Sequence, residues 1–163
     1  MRSIFCGMII ICLFSLIFAS DVIAGYSLSQ ADLSENVIKL SEIYRGRGEA
    51  ESIARMKAVR RQIGSSVIFT ILDIQGRAPG KILYHPTPFV TGHFIQQAKD
   101  ADGRSHGHEL LQKAQKTAPG MLFWVEYSVK SVSEGRVFRQ MCCVRINQSA
   151  VCGLMPSTGT TTP

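Results

Sequence analysis

Apolar positions change period once along this chain, near residue 66, and the change divides it into a helical part and a strand part. Upstream, Leu33, Val37, Leu40 and Tyr44 recur at helical spacing. Ser29 followed by Asp32 has the form of a capping box and marks the helix start. Gly46 and Gly48 interrupt the pattern, so a kink or a break is expected there. A second helical segment spans residues 49–63, with Ile53, Val59 and Ile63 on its apolar side and either Ala54 or Met56 beside them. Gly64 is its natural stop.

Beyond residue 66, β-branched and aromatic residues dominate, and strands are predicted at 67–74, 81–85, 122–130, 136–146 and 150–155. Residues 73–80 form the first turn. Pro86 and Pro88 forbid regular continuation of the second strand, leaving 89–98 as a loop with a short helix. Asp102-Gly103 is a turn signal, and residues 107–117 carry a helical pattern ended by Pro119-Gly120. Alternation in the third strand puts Phe123, Val125 and Tyr127 on one face and Trp124 and Glu126 on the other. There is no internal repeat.

The first residues bear on location. Arg2 precedes an apolar run over residues 4–18, shorter than the roughly 20 residues that a membrane-spanning helix needs. Val22-Ile23-Ala24 before Gly25 completes the pattern of a secretory signal cleaved after Ala24. An uncleaved inner-membrane anchor is the alternative. The mature chain is then one domain in the periplasm or outside the cell, closed by a polar tail at 156–163 too poor in apolar residues to pack. Such a compartment favours disulfides. With Asn147-Gln148 as a two-residue turn, Cys143 lies opposite Cys152. Moving the turn by one residue pairs Cys142 with Cys152 instead. The first pairing is favoured, and either leaves an odd thiol.

Charge narrows the partners. The net charge is +6, and Arg45, Arg47, Arg55, Lys57, Arg60 and Arg61 fall in one helical region. That run is a solvated helix face, or a contact with the membrane surface or an acidic protein. Nucleic acid is not expected, since no aromatics interleave to stack bases. Nor is catalysis: there is no GxSxG, HExxH or phosphate-cradling loop. No cofactor or metal is expected either. Counting from Asp100, Leu111 stands where an EF-hand needs Glu, and Cys142, Cys143 and Cys152 with His106 and His108 match no zinc spacing.

The order of His85-Pro86, KDADG at 99–103 and WVEY at 124–127 resembles the single Cache domain, an extracytoplasmic sensor module with a PAS-like sheet. The likeness covers roughly half of the chain, and the preceding helix more weakly. It implies an α+β fold with a long N-terminal helix (within 25–65) packed on a central antiparallel sheet of five to six strands (within 66–155), short helices covering a pocket. It also implies a small-molecule ligand, such as a short organic acid, bound without chemistry, and a signal passed to a membrane receptor or sensor kinase. By resemblance, His85, Lys99, Asp100, Phe123, Trp124 and Tyr127 belong to the pocket side. Arg139 falls where the family usually has a Lys, and a cation there suits a carboxylate. Val67, Cys142 and Met155 stand where relatives tend to carry pocket-shaping tyrosines. A second reading is therefore a degenerate Cache fold acting as an envelope interaction module. A third is a redox or metal protein built on the cysteines.

Overall fold

The structure is a computed structural model that describes residues 28–131 and 135–155. The signal segment expected at 1–24, the tail at 156–163 and the first half of the polar turn at 133–136 lie outside the described residues.

Two helices precede the sheet. Helix α1 (Gln30–Arg47) opens on the capping box: Ser29 Oγ accepts from the Asp32 N–H, and Asp32 Oδ2 accepts from the Ser29 N–H, both at 3.1 Å. Helix α2 (Glu49–Ile63) follows after Gly48, whose φ of 86° is a left-handed value that breaks the run. The single long helix implied by resemblance is thus two helices, packed against each other through Leu40, Met56 and Val59. Met56 is the buried choice and Ala54 is exposed.

Five strands form one antiparallel sheet in the order β2-β1-β5-β4-β3. They are β1 (Ile68–Asp73), β2 (Ile82–Tyr84), β3 (Leu122–Ser131), β4 (Gly135–Ile146) and β5 (Ser149–Leu154). Helix α3 (His106–Lys116) lies between β2 and β3 in the chain, after two short 3-10 turns, Pro88–Val90 and Ile95–Gln97. All five strands fall within a residue or two of their predicted bounds. The turn at Asn147-Gln148 sets the β4–β5 register so that Cys143 pairs with Cys152, and these two form the disulfide.

Each face of the sheet has its own core. Helices α1 and α2 cover the face of Phe69, Ile71, Val151, Cys142, Val144 and Trp124. On the opposite face Leu72, Phe123, Val125, Tyr127, Met141, Cys143 and Leu154 pack with Leu110, Leu111 and Ala114 of α3. Alternation in β3 therefore sorts its side chains as predicted. Closeness of α1 to the sheet depends on Gly153, where a Cβ would stand 2.7 Å from Val37 Cγ2 and 2.8 Å from Leu33 Cδ1.

Candidate functional site

The far end of the α3-covered face gathers the most chemically committed group of side chains. Tyr127 and Arg139 are direct partners across β3 and β4, so both project to that face. Tyr127 is only 8% exposed, and burial pushes its hydroxyl up to about 12 despite the Arg139 charge nearby. It stays neutral and can donate a hydrogen bond. The His106 ring lies flat on the Tyr127 ring, with centroids 4.4 Å apart and planes 8° from parallel. Burial lowers the pKa of His106, opposed by Asp100 and assisted by Arg104.

Two buried nitrogens here have no hydrogen-bond partner among the described residues: Arg139 Nε, a donor, and His106 Nδ1, which donates in one tautomer and accepts in the other. Leaving a buried polar group unsatisfied costs about 1–3 kcal/mol, so such groups are few in native folds.

The position of His106 is set by its neighbours in the chain. It opens α3, and the next residue, Gly107, donates its N–H to the Ala98 carbonyl at 3.3 Å. A Cβ at Gly107 would stand 1.7 Å from the Ile95 carbonyl oxygen, so only glycine lets the first turn of α3 close onto the turn at Ile95–Gln97. The KDADG loop then holds this corner against β3. The Ala101 N–H donates to the Ser128 carbonyl (3.0 Å), Ser128 Oγ donates to Asp102 Oδ2 (3.1 Å), and Arg104 Nη2 donates to the Glu126 carbonyl (3.0 Å). Arg136 also pairs with Asp102.

The expected site residues separate into four groups. Phe123, Tyr127 and Arg139 share the α3-covered face, with Phe123 farther along β3 inside the packed core. Asp100 is beside them, but its carboxylate is consumed locally. Oδ1 accepts from the Asp102 and Arg104 N–H groups at 3.0 and 2.9 Å, and Oδ2 faces Arg104 Nε at 3.2 Å. Burial raises the Asp100 pKa, but those N–H donors and the Arg104 charge hold it net below the usual carboxylate value. Asp100 therefore caps its own turn. Lys99 next to it is exposed. Trp124 packs on the opposite face, under the helices, and is separated from Tyr127 by the sheet itself.

His85 lies at the other edge. Strand β2 is four strand spacings from β3, about 19 Å. There His85 Nδ1 accepts from the Thr87 N–H at 3.0 Å and caps the proline turn. It cannot share one small pocket with Tyr127 and Arg139. Two further expectations change for the same reason of facing. Val67, Cys142 and Met155 all belong to the helix-covered core, so the missing tyrosines leave the Tyr127 corner untouched. Cys142 and the disulfide also face opposite ways. Its thiol is buried among α1 side chains, and burial raises its pKa to about 11, opposed by Ser34. That is the environment of an inert thiol. Among the described residues no group of three His, Cys, Asp or Glu side chains is placed to hold a metal.

Sequence reasoning named His106 only as a metal candidate. Its role beside Tyr127 comes from a contact between residues 21 positions apart, which no local pattern announces.

No protein-family model matches the sequence, and no curated protein matches it. Solved structures do. A periplasmic sensor domain of a chemotaxis protein has a TM-score of 0.52 to this chain at 16% identity, covering 76% of this chain and 87% of its own. The likeness is one of fold: this chain shares the α+β architecture of that domain, helices packed on a five-stranded antiparallel sheet. A Cache chemosensory domain, described by its structural basis for carboxylic acid recognition, has a TM-score of 0.44 at 13% identity, over 77% of this chain and 86% of its own. The PAS domain of an HTR-like protein from Haloarcula marismortui has a TM-score of 0.42 at 9% identity, over 67% of this chain and 99% of its own. Among the described residues no helix is long and apolar enough to cross a membrane.

Proposed function

We propose that this protein is an extracytoplasmic sensory domain that binds a short carboxylate at the Tyr127 corner and does no chemistry on it. The observation that carries the reading is the pair of buried nitrogens without a partner among the described residues, Arg139 Nε on the cross-strand neighbour of Tyr127 and His106 Nδ1 on the ring stacked against it. A carboxylate accepts from the guanidinium, from the phenol and, with the His106 proton on Nδ1, from the imidazole. An ionised acceptor makes the stronger hydrogen bonds, and a guanidinium suits it better than any other cation. Arg139 is the charge that selects an anion, Tyr127 and His106 set its orientation, and Val125 and Met141 offer an apolar wall for a short chain.

Binding passes on a signal only if it favours one of two conformations. The elements best placed to respond are the KDADG loop and the first turn of α3, which meet at His106. A membrane receptor or sensor kinase is the natural recipient. The apolar run at 4–18 and the disulfide support an exported location.

A second reading draws on the packing beside this corner. Phe123, Leu110, Leu111 and Met141 fill much of the same face, which suits an interaction module that has lost its ligand. A thermal-shift screen of residues 25–163 separates the two, using acetate, lactate, malate, succinate and matched uncharged amides. A site ligand at 100 times its Kd stabilises the fold by about 2.7 kcal/mol. A rise in Tm of several degrees with carboxylates and not with amides supports the sensory reading. Silence across the whole panel rejects it.

A further inference from the structure

A separate surface, independent of the Tyr127 corner, lies where α2 meets the β2 edge. The basic run of the helices is divided there. Arg47 and Arg55 line a groove of about 660 Å³ between α1 and α2 together with Glu42 and Glu51, so that surface is of mixed charge. Lys57, Arg60 and Arg61 instead line a hollow of about 410 Å³ with Ser65, Tyr84 and Pro86, and no carboxylate shares it. Arg60 is fixed in place, its Nε donating to the Val67 carbonyl at 3.1 Å and its Nη2 to the Ser65 carbonyl at 2.7 Å. Lys57 and Arg61 are exposed and form no ion pair among the described residues.

Beside this hollow stands an aromatic that the fold leaves in water. Phe89 is 78% exposed. It comes three residues after Pro86, so the two are at most about 11 Å apart along the chain. The loop carrying it is tightly tied. The His85 N–H donates to Thr91 Oγ1 (3.1 Å), the Val90 N–H to the Thr87 carbonyl (3.0 Å), and the Gly92 N–H to the Ile82 carbonyl (2.8 Å). Pro86 and Pro88 stiffen it further. Phe89 is thus held outward by a rigid tip.

We propose that this α2–β2 corner docks on an anionic phospholipid surface, with Lys57, Arg60 and Arg61 taking phosphate-bearing headgroups and Phe89 entering the interface beside them. Three cations without a carboxylate match a phosphate in charge. Clustered Lys and Arg are drawn to anionic leaflets, and an exposed aromatic beside them is the usual interfacial anchor. Charge alone would fit an acidic protein equally well. An aromatic projecting alone from a rigid tip favours the membrane, because it needs no preformed pocket on the other side.

The test is cosedimentation of residues 25–163 with vesicles of phosphatidylcholine alone and with 30% phosphatidylglycerol. The proposal predicts binding to the anionic vesicles only, weakened by added salt. A Lys57→Ala/Arg61→Ala double variant should bind about 30-fold less well, as each charge near a leaflet is worth roughly fivefold. Phe89→Ala should lose at least about tenfold through the buried ring. Both changes are at exposed positions, and a melting curve verifies folding. A charge-matched Arg45→Ala/Arg55→Ala variant should retain binding. Equal losses in the two double variants would mean that net charge and not this corner is responsible, and would overturn the proposal. So would absence of binding to anionic vesicles, including the case in which millimolar inorganic phosphate alone raises the Tm.

Discussion

The His106 ring rests face to face on Tyr127 at 4.4 Å, although one opens a helix and the other lies in the middle of the longest hairpin. That contact brings α3, the KDADG loop and the β3–β4 hairpin to one point. It also buries a titratable ring, and several consequences can be measured.

The first concerns pH. His106 has its pKa lowered from 6.5, mainly by burial, and His85 is lowered in the same direction for the same reason. The unfolded chain therefore binds more protons than the native one as pH falls below 6.5. Stability should be flat above that value and decline below it. Groups facing His106 are Asp100, Arg104 and Glu109; of these, Asp100 is lowered from 3.8, so its contribution is lost only at more acid pH. Urea unfolding from pH 8 to pH 5 should show the decline, and His106→Gln should reduce its slope. An unchanged slope would show that His106 is not the group responsible.

Arg139 offers a contrast between stability and binding. Its Nε has no partner among the described residues, so Arg139→Met should shift ligand-free stability by no more than about 1 kcal/mol. A loss of 3 kcal/mol or more would mark Arg139 as a structural residue.

Gly153 tests how the helical layer is seated. Gly153→Ala places a methyl against Val37 and Leu33 of α1 and 3.2 Å from Phe69 Cε1. Overpacking of this kind costs about 1–3 kcal/mol. Urea denaturation measures it, and a neutral result would mean that α1 can slide away from β5 freely.

The cysteines make a prediction about accessibility. In residues 25–163, native protein should show essentially no thiol reacting with a disulfide reagent, and one after unfolding, since Cys142 is buried and Cys143 and Cys152 are joined. Replacing both bridge cysteines with alanine opens a loop of nine residues' separation and should cost about 2–3 kcal/mol.

Much of the scaffold was legible because it is encoded locally. Ser29 and Asp32 form the cap they suggest, Gly48 breaks the helix, and Asn147-Gln148 fixes the register that joins Cys143 to Cys152. Alternation in β3 sorts Tyr127 from Trp124. The site was less legible because it depends on strand order. His85 and Tyr127 both flank the pocket-loop region in sequence, but β1, β5 and β4 lie between their strands. Likewise the facing of Val67, Cys142 and Met155 follows from which layer covers which side, and no short-range pattern states that. The unpartnered atoms of Arg139 and His106 become visible only when all their neighbours are in place.

Isothermal titration of the strongest carboxylate from the thermal-shift panel into residues 25–163, repeated with Arg139→Gln, addresses the carboxylate site most directly. The account predicts a single site in the wild-type protein and at least a tenfold weaker Kd in a variant that remains folded. Equal affinity in both proteins, or no heat of binding with any carboxylate at 10 mM, would contradict it.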